Sequence, residues 1–492
     1  MKTMMNSLSR LLTLGAPVPL ACALLLAGCA VGPDYKRPDA PVPTAFKEAP
    51  ADAEAWTGEW KTAEPQDAHA RPQWWQVFGD SQLDALMSQV QISNQNIKAA
   101  EAQYRQALAS LQAARAGFFP TVDAQAGVSR ARGASGNTLN GQSATLGATW
   151  ELDVWGRVRR QVESSEATAQ ASQADLASTL LSTQATLAQS YFLLRIADAQ
   201  KALLDRTVAD YAKSLQLVQN QYKAGTAQRS DVLQSETQLK SAQAQQLDIQ
   251  ITRAQLEHAI AVLVGKPPAD LTLGQADLAN APPRVPAAVP SQLLERRPDI
   301  GAAERRMASA NAQIGVAQAA YYPTLSLSAS GGLTASTLAR WMSLPDRVWS
   351  LGAGLAGTLF DGGLRSAAKA QAVAAYDQTV ANYRQTVLGA FQEVEDNLAA
   401  QRLLEQESVV QNDAVRAARD ALALVNNRYR AGTASLLDVL VAQTTAYTAE
   451  RTALTLMGRQ YTASVVLIKA LGGGWHQEEL GGGAAAATVG QR

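Results

Sequence analysis

Residues 221–238 read QYKAGTAQRSDVLQSETQ, and residues 428–445 read RYRAGTASLLDVLVAQTT. The two stretches lie 207 residues apart and agree at nine of eighteen positions: Tyr222/Tyr429, Ala224/Ala431, Gly225/Gly432, Thr226/Thr433, Ala227/Ala434, Asp231/Asp438, Val232/Val439, Leu233/Leu440 and Thr237/Thr444. Each copy separates two long Ala/Gln/Leu-rich stretches of helical character. Glycine after the last periodic residue stops a helix, because it enters the left-handed region without a Cβ clash. The Thr, Ser and Asp beyond it start the next one, since their oxygens accept from unpaired N–H groups. Each copy therefore predicts a helix, a tight turn and a helix, and the fixed offset marks an internal duplication.

Working outward from the first tip, the chain from Arg157 to Tyr222 contains no proline. As one helix its 66 residues span about 100 Å. Leu204, Val208, Tyr211, Leu215, Val218 and Tyr222 fall alternately four and three apart, the spacing of a coiled-coil seam. Val415, Ala418, Leu422, Val425 and Tyr429 repeat it in the second copy. Shorter return helices are expected over about 229–264 and 436–471, with two more over about 81–117 and 299–320.

Upstream of each long helix the period changes to two. Val122, Ala124, Ala126 and Val128 alternate with polar or small residues, as do Ala144, Leu146, Ala148, Trp150 and Leu152. The second half repeats this with Leu325, Leu327 and Ala329, then Trp349, Leu351, Ala353, Leu355 and Leu359. Each half thus holds a β-hairpin with one apolar and one polar face. The strand lengths suit a membrane-spanning barrel, roughly 9–11 residues per strand. Phe118, Phe119, Trp150, Trp155, Tyr321 and Tyr322 sit at strand ends, where aromatic girdles belong. Four strands cannot close a barrel, and lipid does not tolerate an open sheet edge. Either the hairpins belong to a soluble sheet or several chains pool their strands.

Residues 1–28 read as a signal peptide ending in a lipobox, Leu26-Ala27-Gly28-Cys29, which makes Cys29 the acylated N-terminus of the mature chain. Residues 29–79 form a lipidated extended arm, docked by Trp-Trp-Gln-Val-Phe at 74–78. The first repeat occupies 80–265, with a β-hairpin at 118–155 and a tip at 222–231. A Pro-rich linker follows over 266–298. The second repeat occupies 299–472, with a hairpin at 322–361 and a tip at 429–438, and 473–492 is a disordered tail.

The charge is balanced, 43 basic against 43 acidic residues, which argues against a nucleic-acid partner. The three histidines, His69, His258 and His476, are scattered and make no metal spacing with cysteine. No Walker or GxSxG motif is present. Neither an enzyme nor a cofactor or metal site is expected.

The lipobox followed by CAVGPDYKRP, together with WWQVF, WELDVWGR, LLERRPDI, LFDGG and the paired YxAGT…DVL tips, resembles the outer-membrane factors of the TolC family, in the OprM/NodT-like lipoprotein branch. The likeness covers nearly all of the mature chain in order. It implies an α+β membrane protein: a homotrimer whose long helical hairpins form an α-barrel in the periplasm and whose strands form a twelve-stranded β-barrel in the outer membrane. The implied function is the exit duct of a tripartite efflux pump, meeting a periplasmic adaptor and an inner-membrane transporter of the resistance-nodulation-division type, and passing small molecules outward. A duct for type I protein secretion and a structural coiled-coil lipoprotein are the alternatives. The resemblance further implies adaptor docking at the tips, through Tyr222, Gly225, Thr226, Tyr429, Gly432, Thr433 and Ala434, and a constriction aspartate at Asp438, with Asp231 its counterpart. The chain departs from TolC itself at Val441, where that protein has a second aspartate.

Overall fold

The computed structural model describes residues 30–48, 73–132, 134, 136, 138–278, 283, 296–335 and 347–474. The signal peptide, Cys29, residues 49–72 of the arm, most of the Pro-rich linker and the tail from 475 lie outside them. Seven helices and four strands follow one another: α1 (Ser81–Ser93), α2 (Gln95–Ala116), β1 (Thr121–Arg132), β2 (Thr138–Leu152), α3 (Arg157–Lys223), α4 (Arg229–Leu263), α5 (Pro298–Ala319), β3 (Thr324–Ala335), β4 (Arg347–Ala356), α6 (Leu364–Arg430) and α7 (Leu436–Ala470). The helices α3 and α6 have 67 residues each and α4 and α7 have 35 each. Every bound in the second pair lies 207 residues after its counterpart, so the duplication seen at the tips extends over both helical hairpins.

The chain divides into two compact units, Met1–Asp39 with Gln103–Gln173 and Ala302–Arg384, and Ala40–Ala102 with Ala174–Gly301 and Gln385–Arg492. The first contains the sheet, ordered β1-β2-β3-β4 and antiparallel throughout. Its register superimposes all four alternations. Ala124 pairs with Leu146, Leu146 with Gly331, and Gly331 with Trp349. Leu152 pairs with Leu325, and Leu325 with Leu355. Since successive residues point to opposite faces, the apolar members of every strand share one face. The opposite face carries Gln125, Thr145, Ser326, Ser328, Ser330 and Ser350, with the last two hydroxyls 2.8 Å apart. The apolar face is bare: Val128 is 82% exposed, Leu351 75% and Leu355 69%. At the end of the sheet nearest the helices, Trp155 stacks on Tyr322 at 4.8 Å and donates its indole N–H to the Pro323 carbonyl.

Beside the sheet, residues 30–39 form a strap held by charge-assisted bonds. Arg160 of α3, whose side chain is 6% exposed, reaches Asp34 at 2.8 Å. Tyr35 donates to Glu304 of α5 at 2.8 Å, and Arg37 donates to the Tyr383 hydroxyl of α6 at 3.1 Å. The strap passes α5 where Gly32 meets Gly315. A Cβ on Gly32 would lie 2.5 Å from the Gly315 Cα, so the crossing requires glycine.

The second unit holds the main hydrophobic core. Trp74, Trp75 and Phe78 are buried there with Leu83, Met87, Val90, Leu187, Phe192 and Tyr461. Phe192 stacks on Tyr461 at 4.5 Å and meets Phe78 at 4.7 Å. The WWQVF segment is therefore a plug in this core. Asp80 caps α1 by accepting from the N–H groups of Gln82 and Leu83. The coiled-coil seam packs Val208, Tyr211 and Leu215 of α3 on Leu239 and Ala242 of α4.

Three expectations are corrected. The single helix expected over 81–117 is broken at Asn94, whose backbone is extended. Its side-chain oxygen accepts from the N–H groups of Asn96 and Ile97, and its amide donates to the Leu263 carbonyl at 2.7 Å. Asparagine offers its own hydrogen bonds in place of the helical ladder. The strand expected to include Leu359 ends at Ala356, because its partner β3 begins after Pro323, which has no N–H to continue the ladder. Leu359 is left 99% exposed. The seam ends at Val218, 1% exposed, and Tyr222 one turn later is 47% exposed.

A buried ionic network braces the second unit. Arg195 reaches Asp198 at 2.8 Å, the Gly274 carbonyl at 2.8 Å and Gln82 at 2.6 Å. Arg253 donates to the other Asp198 oxygen at 2.7 Å and to Glu257 at 2.9 Å. Asp198 is 3% exposed at its side chain, so removing a partner leaves an uncompensated charge out of water. The variant Arg253→Ala is expected to lose about 3–5 kcal/mol of stability. Chemical unfolding of the purified protein checks this, and a loss below about 1 kcal/mol, the range of exposed pairs, rules it out.

Candidate functional site: the helical tips and the apolar sheet face

Both tips are built by the same backbone hydrogen bonds. The Gly225 N–H donates to the Tyr222 carbonyl at 3.0 Å, and the Thr226 N–H to the Gln221 carbonyl at 2.9 Å. In the second copy Gly432 bonds to Tyr429 at 3.0 Å and Thr433 to Arg428 at 2.9 Å. This is a Schellman turn, with glycine at the left-handed position: φ is 77° at Gly225 and 76° at Gly432. A Cβ at either would meet nothing within 4 Å, so conformation and not space requires glycine. The threonine hydroxyls reinforce each turn, donating to the Gln221 and Arg428 carbonyls at 3.1 Å.

The two aspartates begin the return helices. The Gln228 N–H donates to Asp231 at 3.0 Å. Asp438 forms a reciprocal box with Ser435: it accepts from the Ser435 N–H at 2.9 Å and hydroxyl at 2.8 Å, and its own N–H donates to the Ser435 oxygen at 3.2 Å. The Ser435 hydroxyl and N–H hold the Asp438 carboxyl below its ordinary 3.8. Both bonds fall on Asp438 Oδ2, and the residue is exposed. Asp231 is half-buried and close to the other tip. Burial raises the Tyr429 hydroxyl above its ordinary value, and the Asp231 charge adds to the effect.

The copies are not equivalent. Tyr429 is half-buried and donates to the Gln221 side chain at 2.8 Å, tying the second tip to the first, whereas Tyr222 is exposed. Gly225, Thr226, Gly432 and Thr433 are exposed and Ala434 half-buried. Among the described residues no group of His, Cys, Asp and Glu could hold a metal ion. No described helix is long and apolar enough to cross a membrane.

The family model "Outer membrane efflux protein" matches residues 86–266 and 289–473, one match for each repeat. The chain belongs to the outer membrane efflux protein family. The probable efflux pump outer membrane protein TtgC of Pseudomonas putida is 33% identical over 466 residues, 93% of this chain and 95% of that protein. The pyoverdine export outer membrane protein OpmQ of Pseudomonas aeruginosa is 32% identical over 429 residues, 84% of this chain and 90% of that one. The solved outer-membrane channel OprN is similar at 32% identity with a TM-score of 0.79, covering 91% of this chain and all of that one. The expected resemblance and fold class are thereby borne out, and the protein is an efflux exit channel of the outer membrane.

Sequence reasoning placed the turns and the aspartates. It missed Ser435 as the partner of Asp438, although Ser-x-x-Asp before an apolar run is a capping signal. It missed the Asp198 network, whose i,i+3 and i,i+4 pairs look like ordinary solvated helix charges. The lowered Asp438 value means that its contribution is complete above 3.8 and is lost as pH falls through the lowered value. Hydrogen exchange at the Ser435 amide is expected to stay slow at neutral pH and to accelerate well below pH 3.8. Slow exchange unaffected by Asp438→Asn counts against the box.

Proposed function

We propose that three copies of this chain pool their strands into a twelve-stranded barrel in the outer membrane, and that the helical hairpins form the periplasmic end of a tripartite efflux duct. The observation that carries this is the sheet. Its apolar face is exposed along four strands, and its edges β1 and β4 have no partner strand among the described residues. Lipid admits such a sheet only when it is closed. The partners are then a periplasmic adaptor and an inner-membrane transporter of the resistance-nodulation-division type, in keeping with relatives described as components of efflux pumps. Acylated Cys29 adds a second hold on the membrane. Small molecules are the cargo class, as TtgC's and OpmQ's names suggest for those proteins.

In this barrel Leu146 faces lipid and Thr145 the lumen. Arg at a lipid-facing mid-membrane position costs about 2–4 kcal/mol and less on the lumen side. Leu146→Arg is therefore expected to lower trimer melting in native membranes more than Thr145→Arg. Equal losses sink the assignment, as does a soluble folded trimer from a Cys29→Ala variant with a cleavable signal.

The tips receive adaptor hairpins. Small exposed residues there, Thr226 and Thr433 beside the glycines, leave room for a partner helix to approach. Ala434→Trp is expected to keep the trimer and abolish export; drug susceptibility of a complemented deletion strain reads this, and full resistance counts against docking at this tip.

Asp438 supplies the charge of a constriction ring, and Asp231 serves as cap and as neighbour of Tyr429. An exposed carboxylate with Oδ1 outside its capping bonds suits a ring better than a half-buried one. Rings of carboxylates favour cations. In planar bilayers Asp438→Asn is expected to weaken cation preference and change conductance. Unchanged selectivity with reduced stability makes Asp438 a cap alone.

A further inference from the structure

The outward face of the sheet ends in arginine. The last two positions of β1 on the apolar face are Arg130 and Arg132, following Val122, Ala124, Ala126 and Val128. The first position of β4 on that face is Arg347, which pairs with Leu333 and precedes Trp349, Leu351, Ala353 and Leu355. All three are exposed and lie at the end of the sheet away from the helices. Among the described residues no Asp or Glu shares their face, because Asp123 and Glu151 fall on the polar one. The corresponding positions of the inner strands are neutral, Asn140 and Gln142 on β2 and Leu333 and Ala335 on β3. The charge is thus confined to the two edge strands.

The opposite end of the sheet is marked independently. The Val31 N–H donates to the Trp155 carbonyl at 3.1 Å, and a Cβ on Gly156 would meet Ala30 at 3.0 Å. Ala30 directly follows the acyl acceptor Cys29 in sequence. A lipid on that cysteine therefore enters the leaflet at the helical, periplasmic end of the apolar band, and the arginine end belongs to the outer leaflet.

We propose that Arg130, Arg132 and Arg347 form a binding site for the phosphate groups of the phosphorylated glycolipid of the outer leaflet. The inference rests on the pooled barrel, in which β4 of one copy adjoins β1 of the next. Closure brings the edge arginines of neighbouring copies to one seam, and three copies make three clusters. The planar guanidinium fork matches phosphate oxygens in pairs, and it does so most strongly where no carboxylate competes. Arg132 commits its Nε to the Gly136 carbonyl at 3.1 Å, which leaves its terminal nitrogens for the ligand. Arg130 and Arg347 have no ion-pair partner among the described residues. The acyl chains of the same glycolipid then lie along the apolar band below, so headgroup and tails are met by one continuous surface.

The test uses the full-length acylated protein in phosphatidylcholine vesicles. Added bisphosphorylated lipid A is expected to raise the trimer melting temperature of the wild type, while dephosphorylated lipid A or inorganic phosphate at the same concentration leaves it unchanged. The combined variant Arg130→Ser, Arg132→Ser, Arg347→Ser is expected to lose that shift and to lose lipid A retained through purification, as counted by native mass spectrometry. Its trimer band and single-channel conductance stay as in the wild type. The triple Arg→Lys variant keeps the charge but not the fork, and is expected to retain only part of the shift. An equal shift in wild type and triple-serine variant overturns the proposal with the pooled barrel intact, and so does a full shift with dephosphorylated lipid A. Absence of a trimer in the wild type overturns the pooled barrel and the proposal together.

Discussion

A backbone N–H or C=O in hydrocarbon has no water to turn to, so a sheet in lipid must be paired at both edges. That constraint governs this protein. Its chain supplies four antiparallel strands in one meander, enough to pair three ladders and too few to close. A bare apolar face beside two unpaired edges is the structure of a fraction of a barrel. Association is then a condition of the membrane-inserted state. The internal duplication fits the same logic, because each repeat delivers one hairpin and its flanking helices, and two repeats make a sheet whose faces agree.

The helical part depends on turns and caps. Two helices of 67 residues pass into Schellman turns in which glycine alone is at ease, and the return helices start on carboxylates that accept from the backbone. Capping explains why an aspartate is favoured just past each tip, since a negative charge suits the N-terminus of a helix. It also separates the two copies. Ser435 engages one oxygen of an exposed Asp438, whereas Asp231 is half-buried near Tyr429. A symmetric duplication in sequence has become an asymmetric pair of tips in space.

Within the units, polar groups fix what apolar packing leaves free. The strap at 30–39 is held by Arg160, Glu304 and Tyr383, and the second unit carries a buried aspartate between two arginines. Such pairs add little net stability over apolar residues of the same volume, but breaking one is costly. They restrict the arrangements that Ala/Gln/Leu-rich helices, whose faces are nearly interchangeable, can adopt.

The sequence by itself determined the duplication, the helical hairpins, the position of each turn and the two-residue alternation of every strand. These are local properties: periodicity, glycine conformation and capping act within a few residues, so they are readable in one dimension. It also carried the family motifs, which match along both repeats. Only the tertiary structure decided the register that gathers all the apolar alternations, and the edge arginines, onto one face, because a one-residue slip in any ladder reverses a whole strand. It alone set the break at Asn94, whose amide needs the Leu263 carbonyl 169 residues away, and the end of β4 opposite Pro323. The Asp198 network was equally silent, since i,i+3 and i,i+4 charge pairs look alike on a solvated face and in a core. What separates them is burial, and burial is a property of the packed chain.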